Sequence, residues 1–380
     1  MSEDRQSRLS RRGFLGVASG ALLASTARPL AAQVPVFPLP EPPGRKLGWA
    51  IVGLGHLAVN QILPAIEGCH RSKVTALVSG RPAKARLLAS LHGVQSGKIY
   101  SYDSYDEIAH DPAIDVVYVA LPNSMHAEYT VRALQAGKHV LCEKPMATTP
   151  EECEAMIAAA KAADRKLMIA YRLRYEPFNR ELIRIARDPS EMGPTRMILA
   201  EAGFPIGDPG QWRLRRKMAG GGSLMDIGIY ALQAARYLTG EEPVEVRAMV
   251  QSAANDPRFV EVEENVAFQL RFPGGVLASC TCSYGTGMNR FRVFKHEGSA
   301  ELEPALSYSG LRMRVYRGRS IEERLLPVVD QFAAEMDHFS ERIMNGEEPL
   351  TPGEEGLRDL RVMMAIYEAA AGEKAVPLEG

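Results

Sequence analysis

The sequence predicts an α/β chain in two parts: an N-terminal doubly wound parallel sheet, then an α+β domain built on a large, mostly antiparallel sheet. Three observations predict it. Between residues 47 and 170, short apolar runs alternate with amphipathic helical stretches. After residue 171, strand-like runs follow one another, with Pro273-Gly274-Gly275 as a hairpin signal between two of them. A chain of 380 residues, 46% hydrophobic and 24% charged, can build two packed cores, and this composition excludes a mostly disordered chain.

Strands are predicted at 47–52, 74–78, 116–120, 140–142 and 167–170, with helices at 57–66, 82–91, 126–135 and 150–163. These strands lack polar alternation, so both of their faces must be covered. In the second part, strands are predicted at 196–202, 244–250, 265–272, 276–284 and 291–295. Helices at 224–238, 331–344 and 354–371 would cover one face of that sheet, the last of them packing back on the first domain.

The first 32 residues stand apart. Arg5 and Arg8 precede Arg11-Arg12-Gly13-Phe14-Leu15, an apolar stretch runs from Val17 to Ala24, and small residues follow near Ala27 and Ala32. Paired arginines, a weak apolar core and a small-residue exit read as a twin-arginine signal, which predicts export to the periplasm. Residues 33–46 carry Pro35, Pro38, Pro40, Pro42 and Pro43, an extended segment that is either a linker or an arm lying on a partner subunit. The predicted divisions are 1–32, 33–46, 47–171 and 172–380.

A net charge of -1 offers no basic field to nucleic acid. No uncharged apolar run of about 18 residues follows the N-terminus, so no membrane span is expected there. Five scattered cysteines do not make a disulfide framework, and Cys280 and Cys282 share a strand face where a mutual bridge is poor. The histidines show no ligand spacing with them, so no metal is expected.

Gly53-Leu54-Gly55-His56-Leu57-Ala58 follows the first strand and opens the first helix. Glycines permit the tight turn and close approach to a pyrophosphate, whose charge the helix N-terminus attracts; at this joint the pattern reads as a Rossmann dinucleotide turn. Ser79-Gly80-Arg81-Pro82-Ala83-Lys84 ends the second strand with a hydroxyl and two cations and no carboxylate, which favours the ribose phosphate of NADP. Arg81 and Lys84 otherwise read as solvated helix-face charges. Leu121-Pro122-Asn123-Ser124-Met125-His126 and Glu143-Lys144-Pro145 lie at the carboxyl ends of later strands, where open parallel sheets bind ligands. Gly220-Gly221-Gly222-Ser223 leads into a helix with Ser223 as a plausible cap. Asp226 and Tyr230 share a face of that helix, and Gly228 between them predicts a close approach. An ammonium such as Lys144 beside a tyrosine favours its phenolate.

Together the glycine turn, Glu143-Lys144-Pro145 and the glycine-led helix carrying Asp226 and Tyr230 resemble the glucose–fructose oxidoreductase, inositol dehydrogenase and rhizopine-catabolism family. The resemblance also takes in Gln211-Trp212-Arg213-Leu214-Arg215-Arg216 and covers most of the chain, with departures between 285 and 329 and Arg174 where histidine is usual. It implies tightly held NADP, oxidation of an aldose such as glucose to its lactone, reduction of a second sugar such as fructose or another aldose, and a homo-oligomer, dimer or tetramer. Lys144 and Tyr230 would manage the proton and Asp226 would orient the sugar. The implied cofactor cleft comprises Gly53, Gly55, His56, Leu57, Ala58, Ser79, Gly80, Arg81, Lys84, Tyr102, Leu121, Pro122, Asn123, His126, Glu143, Lys144, Arg172, Trp212 and Arg213. An ordinary NADP-dependent sugar dehydrogenase and a non-catalytic sugar- or nucleotide-binding regulator are the competing readings.

Overall fold

Apolar runs between helices become the inner strands of a parallel sheet in the computed structural model, which describes residues 44–378. The predicted signal and most of the proline-rich segment lie outside the described residues. β1 (Leu47–Val52), β2 (Ser72–Val78), β3 (Ile99–Tyr100), β4 (Val116–Val119), β5 (His139–Glu143) and β6 (Leu167–Ala170) pair in the order β3-β2-β1-β4-β5-β6, every pair parallel. Every residue of β1 and β4 is buried, as the unbroken apolar runs require. The predicted first helix divides into a π-helical turn, Ala58–Ile62, and α1 (Leu63–Glu67). α2 (Pro82–Leu91), α3 (His126–Gln135) and α4 (Pro150–Ala163) follow, α4 opened by a capping box between Thr149 and Glu152.

The second sheet contains β7 (Thr195–Gly203), β8 (Glu245–Gln251), β9 (Asn265–Arg271), β10 (Leu277–Ser283), β11 (Met288–Lys295), β12 (Gly298–Leu302), β13 (Met313–Arg317), β14 (Ser320–Arg324) and β15 (Val376–Pro377). Their order is β14-β13-β12-β11-β7-β10-β9-β8-β15, antiparallel except for the β7–β10 pair. The inward positions Ile198, Ala200, Ala202, Cys280 and Val293 are buried. α5 (Pro177–Arg187), which the sequence reading lacks, and α7 (Ile229–Thr239) pack on that face; a short α6 (Arg216–Ala219) precedes the glycine stretch.

One expectation needs correction. α8 (Gln331–Asn345) lies on the parallel sheet rather than on the antiparallel one. Its apolar stripe Phe332, Met336 and Phe339 joins the core of Trp49, Tyr118 and Leu141. Trp49 Nε1 donates to Ser340 Oγ at 3.1 Å, and Asp337 accepts from Arg71 N at 2.8 Å and Ser72 Oγ at 3.0 Å. α9 (Gly353–Gly372) lies against both α4 and β8. A Cβ on Gly356 would stand 2.7 Å from Met146 Cβ, so glycine lets the helix approach the loop after β5. Arg236 on α7, its side chain 2% exposed, bridges Asp359 at 2.5 Å, Glu242 at 2.6 Å and Glu355 at 3.1 Å. All five cysteines are free and buried.

Candidate active site

The glycine turn needs its glycines for separate reasons. Gly53 has φ +91°, and a Cβ there would meet Ala120 O at 2.4 Å. At Gly55 a Cβ would meet nothing within 4 Å, so the turn opens on free space at the start of the first helix. That cradle fits a dinucleotide pyrophosphate. His56 beside it is exposed, Leu57 half-buried, and Ala58 fully buried in the third small position. Lys84 reaches back from α2 and donates from Nζ to Leu54 O at 2.5 Å, which brings its charge to the turn. Ser79 Oγ accepts from Arg81 N at 3.1 Å while the Arg81 side chain is exposed. The Tyr102 ring lies against Gly80, where a Cβ would be 3.1 Å from it. No carboxylate stands at the end of β2, so the residues present fit a phosphorylated ribose.

At the far end of β5, Lys144 meets the glycine-led helix. Its Nζ donates to Asp226 O at 2.5 Å and Asp226 Oδ1 at 3.2 Å, and lies 4.8 Å from the centre of the Tyr230 ring. Asp226 Oδ2 accepts from Arg213 Nε at 2.9 Å and from Tyr284 OH at 3.0 Å. Burial pushes the Asp226 pKa up, but Arg213, Lys144 and Tyr284 outweigh it and hold the carboxyl well below the usual range. Burial pulls Lys144 down, and Asp226 followed by Tyr230 more than offsets it, so the ammonium stays charged. Arg172 Nε donates to Tyr230 OH at 3.2 Å, with Arg172 Nη1 on Gln331 Oε1 at 2.5 Å and Nη2 on Leu306 O at 2.7 Å. Tyr230 thus has two cations beside its ring, the Arg172 guanidinium lying 5.0 Å from its centre. Trp212 and Arg213 sit on one short turn, with the guanidinium 4.5 Å from the indole centre.

The glycine stretch owes its composition to packing. A Cβ on Gly221 would meet Tyr367 OH at 2.1 Å, on Gly222 Glu263 O at 2.2 Å, and on Gly228 Cys282 Sγ at 2.6 Å. The close approach predicted at Gly228 is therefore strand β10. Ser223 makes no capping bond; Glu263 takes that part, accepting from Gly222 N at 2.8 Å and Leu224 N at 3.0 Å. The helix opens with a π-helical turn, Leu224–Gly228, before α7.

Several residues assigned to the cofactor turn elsewhere. His126 is fully buried, with Nδ1 2.8 Å from Pro145 O and Nε2 2.8 Å from Leu121 O, so it clips the two loops together instead of facing a ligand. Asn123 donates to Ala219 O at 2.9 Å and ties the first sheet's loop to the glycine stretch. The Glu143 side chain accepts from Tyr118 OH at 2.8 Å behind the cleft, its pKa raised by burial. Leu121 is buried and Pro122 half-buried at the same loop. Arg174 stacks 3.8 Å from the Tyr237 ring centre. Tyr284 and Glu263 are not legible as site residues; the first directly follows β10 and the second lies in a loop, and neither has a motif.

A cationic lysine and a tyrosine at the carboxyl ends of a parallel sheet, beside a dinucleotide turn, define a nicotinamide-dependent oxidoreductase. The chain belongs to the oxidoreductase family with an NAD-binding Rossmann fold, matched over residues 47–171, and carries the GFO/IDH/MocA C-terminal domain over 183–301. It is 50% identical to the aldose-aldose oxidoreductase of Caulobacter crescentus, whose crystal structure with glycerol aligns at a TM-score of 0.86 over 88% of this chain and 100% of that one. It is 33% identical over 338 residues to the D-xylose 1-dehydrogenase [NADP(+)] of Haloarcula marismortui, covering 87% of this chain and 93% of that protein. A 3-ketoreductase from Actinomadura kijaniata, solved with NADP and TDP-benzene, is 26% identical with a TM-score of 0.76 over 86% of this chain and 98% of that one. NADP, the cofactor read from the sequence, is the one named for the last two.

Proposed function

We propose that this chain is an exported, homo-oligomeric sugar oxidoreductase that keeps NADP bound, oxidises an aldose such as glucose to its lactone and passes the hydride to a second sugar. The observation that carries the reading is the Lys144–Asp226–Tyr230 cluster, with Lys144 held charged between carboxylate and phenol. Bound NADP supplies the hydride acceptor and donor. Tyr230 takes the proton of the anomeric hydroxyl and returns a proton to the acceptor sugar's oxygen. Lys144 and Arg172 hold positive charge beside it throughout. Asp226, an acceptor-only carboxylate, uses most of its lone pairs on Lys144, Arg213 and Tyr284, and the remaining one orients a sugar hydroxyl. The twin-arginine signal supports retention of the cofactor, because a folded protein leaving the cytoplasm can carry NADP with it. The similarity to an aldose-aldose oxidoreductase supports two sugars taking turns in one pocket.

The purified protein, with no cofactor added, is the test. Glucose alone should raise the near-ultraviolet absorbance of reduced nicotinamide in proportion to enzyme, and an acceptor sugar should reverse it. A dependence on NADP in the buffer would instead establish an ordinary dehydrogenase, the reading that the xylose dehydrogenase similarity favours. Ser79→Asp should repel the ribose phosphate and shift preference toward NAD, measured as the ratio of kcat/KM with each cofactor after the native one is stripped. An unchanged ratio would remove Ser79 from the ribose site.

A further inference from the structure

We propose that Tyr308 is the platform on which the pyranose ring of the donor aldose stacks in this site, so that it strengthens binding of cyclic donors and does nothing for open-chain acceptors. The inference rests on the functional reading above and deepens it. Tyr308 lies in the turn between β12 and β13, inside the stretch where the sequence departs from the family, and is 48% exposed.

A half-exposed aromatic in a surface turn is ordinarily mobile. This turn is pinned. Asn179 Nδ2 donates to Ala305 O at 3.2 Å, Arg172 Nη2 to Leu306 O at 2.7 Å, and Gln331 Nε2 to Ser307 O at 3.1 Å and Tyr308 O at 3.0 Å. Successive carbonyls from 305 to 308 are each held by a side chain that is itself buried. Asn289 Oδ1 secures the amides of Ala305 at 2.7 Å and Leu306 at 2.6 Å. The Tyr308 ring then rests on the Arg172 guanidinium, 4.7 Å from its centre, and on Phe332 at 5.4 Å.

The same guanidinium bonds Tyr230 OH at 3.2 Å, so Tyr308 and Tyr230 flank one cation. The phenol of Tyr308 also lies within electrostatic reach of Lys144 and Glu143. An aldopyranose with equatorial hydroxyls presents a face of C–H groups, which an aromatic face covers without stripping a hydroxyl of its partner. An open-chain aldehyde has no such face. The buried amide and guanidinium groups thus fix the height and tilt of a sugar floor beside the proposed base.

Tyr308→Ala and Tyr308→Phe in the full NADP-loaded protein test this. The alanine variant should raise KM for glucose and xylose about tenfold, leave kcat near wild type, and leave KM for glyceraldehyde unchanged. Binding of 1,5-anhydroglucitol, which lacks the anomeric hydroxyl and cannot react there, should weaken to the same extent. The phenylalanine variant should match wild type in all of these, with bound NADP and Tm unaltered in both. Equal KM changes for cyclic and open-chain substrates, or none in the alanine variant, would overturn the proposal. A wild-type protein that turns over no sugar would overturn the functional reading beneath it as well.

Discussion

Tyr230→Phe should leave bound NADP and sugar affinity intact while turnover falls by roughly 10²–10⁴-fold, the usual range for loss of a positioned acid–base group. The phenyl ring should keep its place, because Lys144 and Arg172 both lie over the ring, 4.8 and 5.0 Å from its centre. What disappears is the oxygen that Arg172 Nε holds at 3.2 Å. Lys144→Ala should lower turnover too, and it should leave Asp226 with Arg213 and Tyr284 as its remaining partners. Single-turnover reduction of the bound cofactor by glucose separates these effects from sugar binding. Near-normal turnover in Tyr230→Phe would move the base to Asp226, whose ionised carboxylate is the other candidate.

Arg236→Met should cost about 3–5 kcal/mol of stability, because it leaves Asp359 charged and fully buried without its main partner. That is about a fifth or more of the stability of an ordinary domain, so the midpoint of denaturant unfolding should drop visibly. The double variant Arg236→Met with Asp359→Leu should recover most of the loss, since a matched apolar pair carries no stranded charge. A double variant no better than the single would mean that Glu242 and Glu355, rather than Asp359, carry the interaction. Neither residue touches the proposed chemistry, so activity per folded molecule should hold.

The parallel sheet is legible because β1 and β4 are apolar throughout, and only a sheet covered on both faces explains that. Strands β12, β13 and β14 escape the same reading. Alternate positions carry opposite charges in register, Glu301 beside Arg314 and Arg314 beside Glu323, which look like loop residues until the pairing is seen. Lys144, Asp226 and Tyr230 announce themselves through motif and helical spacing. The parts that hold them do not: Tyr284, Glu263 and Gln331 act through contacts across long stretches of chain, for which a single sequence has no local signature. Glycine gives a case of a visible signal whose cause is not local. The run 220–222 marks the site, yet its cause is the approach of Tyr367 and Glu263. Ser223 has the chemistry of a cap, but the Glu263 carboxylate occupies the amides first.

The bond between Trp49 and Ser340 joins residues 291 positions apart. One face of the first sheet is closed by a helix made after every strand of that sheet and after eight of the nine strands of the second. During synthesis, Trp49 and Tyr118 must therefore wait exposed, or borrow temporary cover, until α8 emerges and closes a very long loop. A fragment ending near residue 171 would contain every strand of the parallel sheet and still lack the residues that roof it. The roof of the dinucleotide-binding half is thus supplied by residues that follow β14 in the chain.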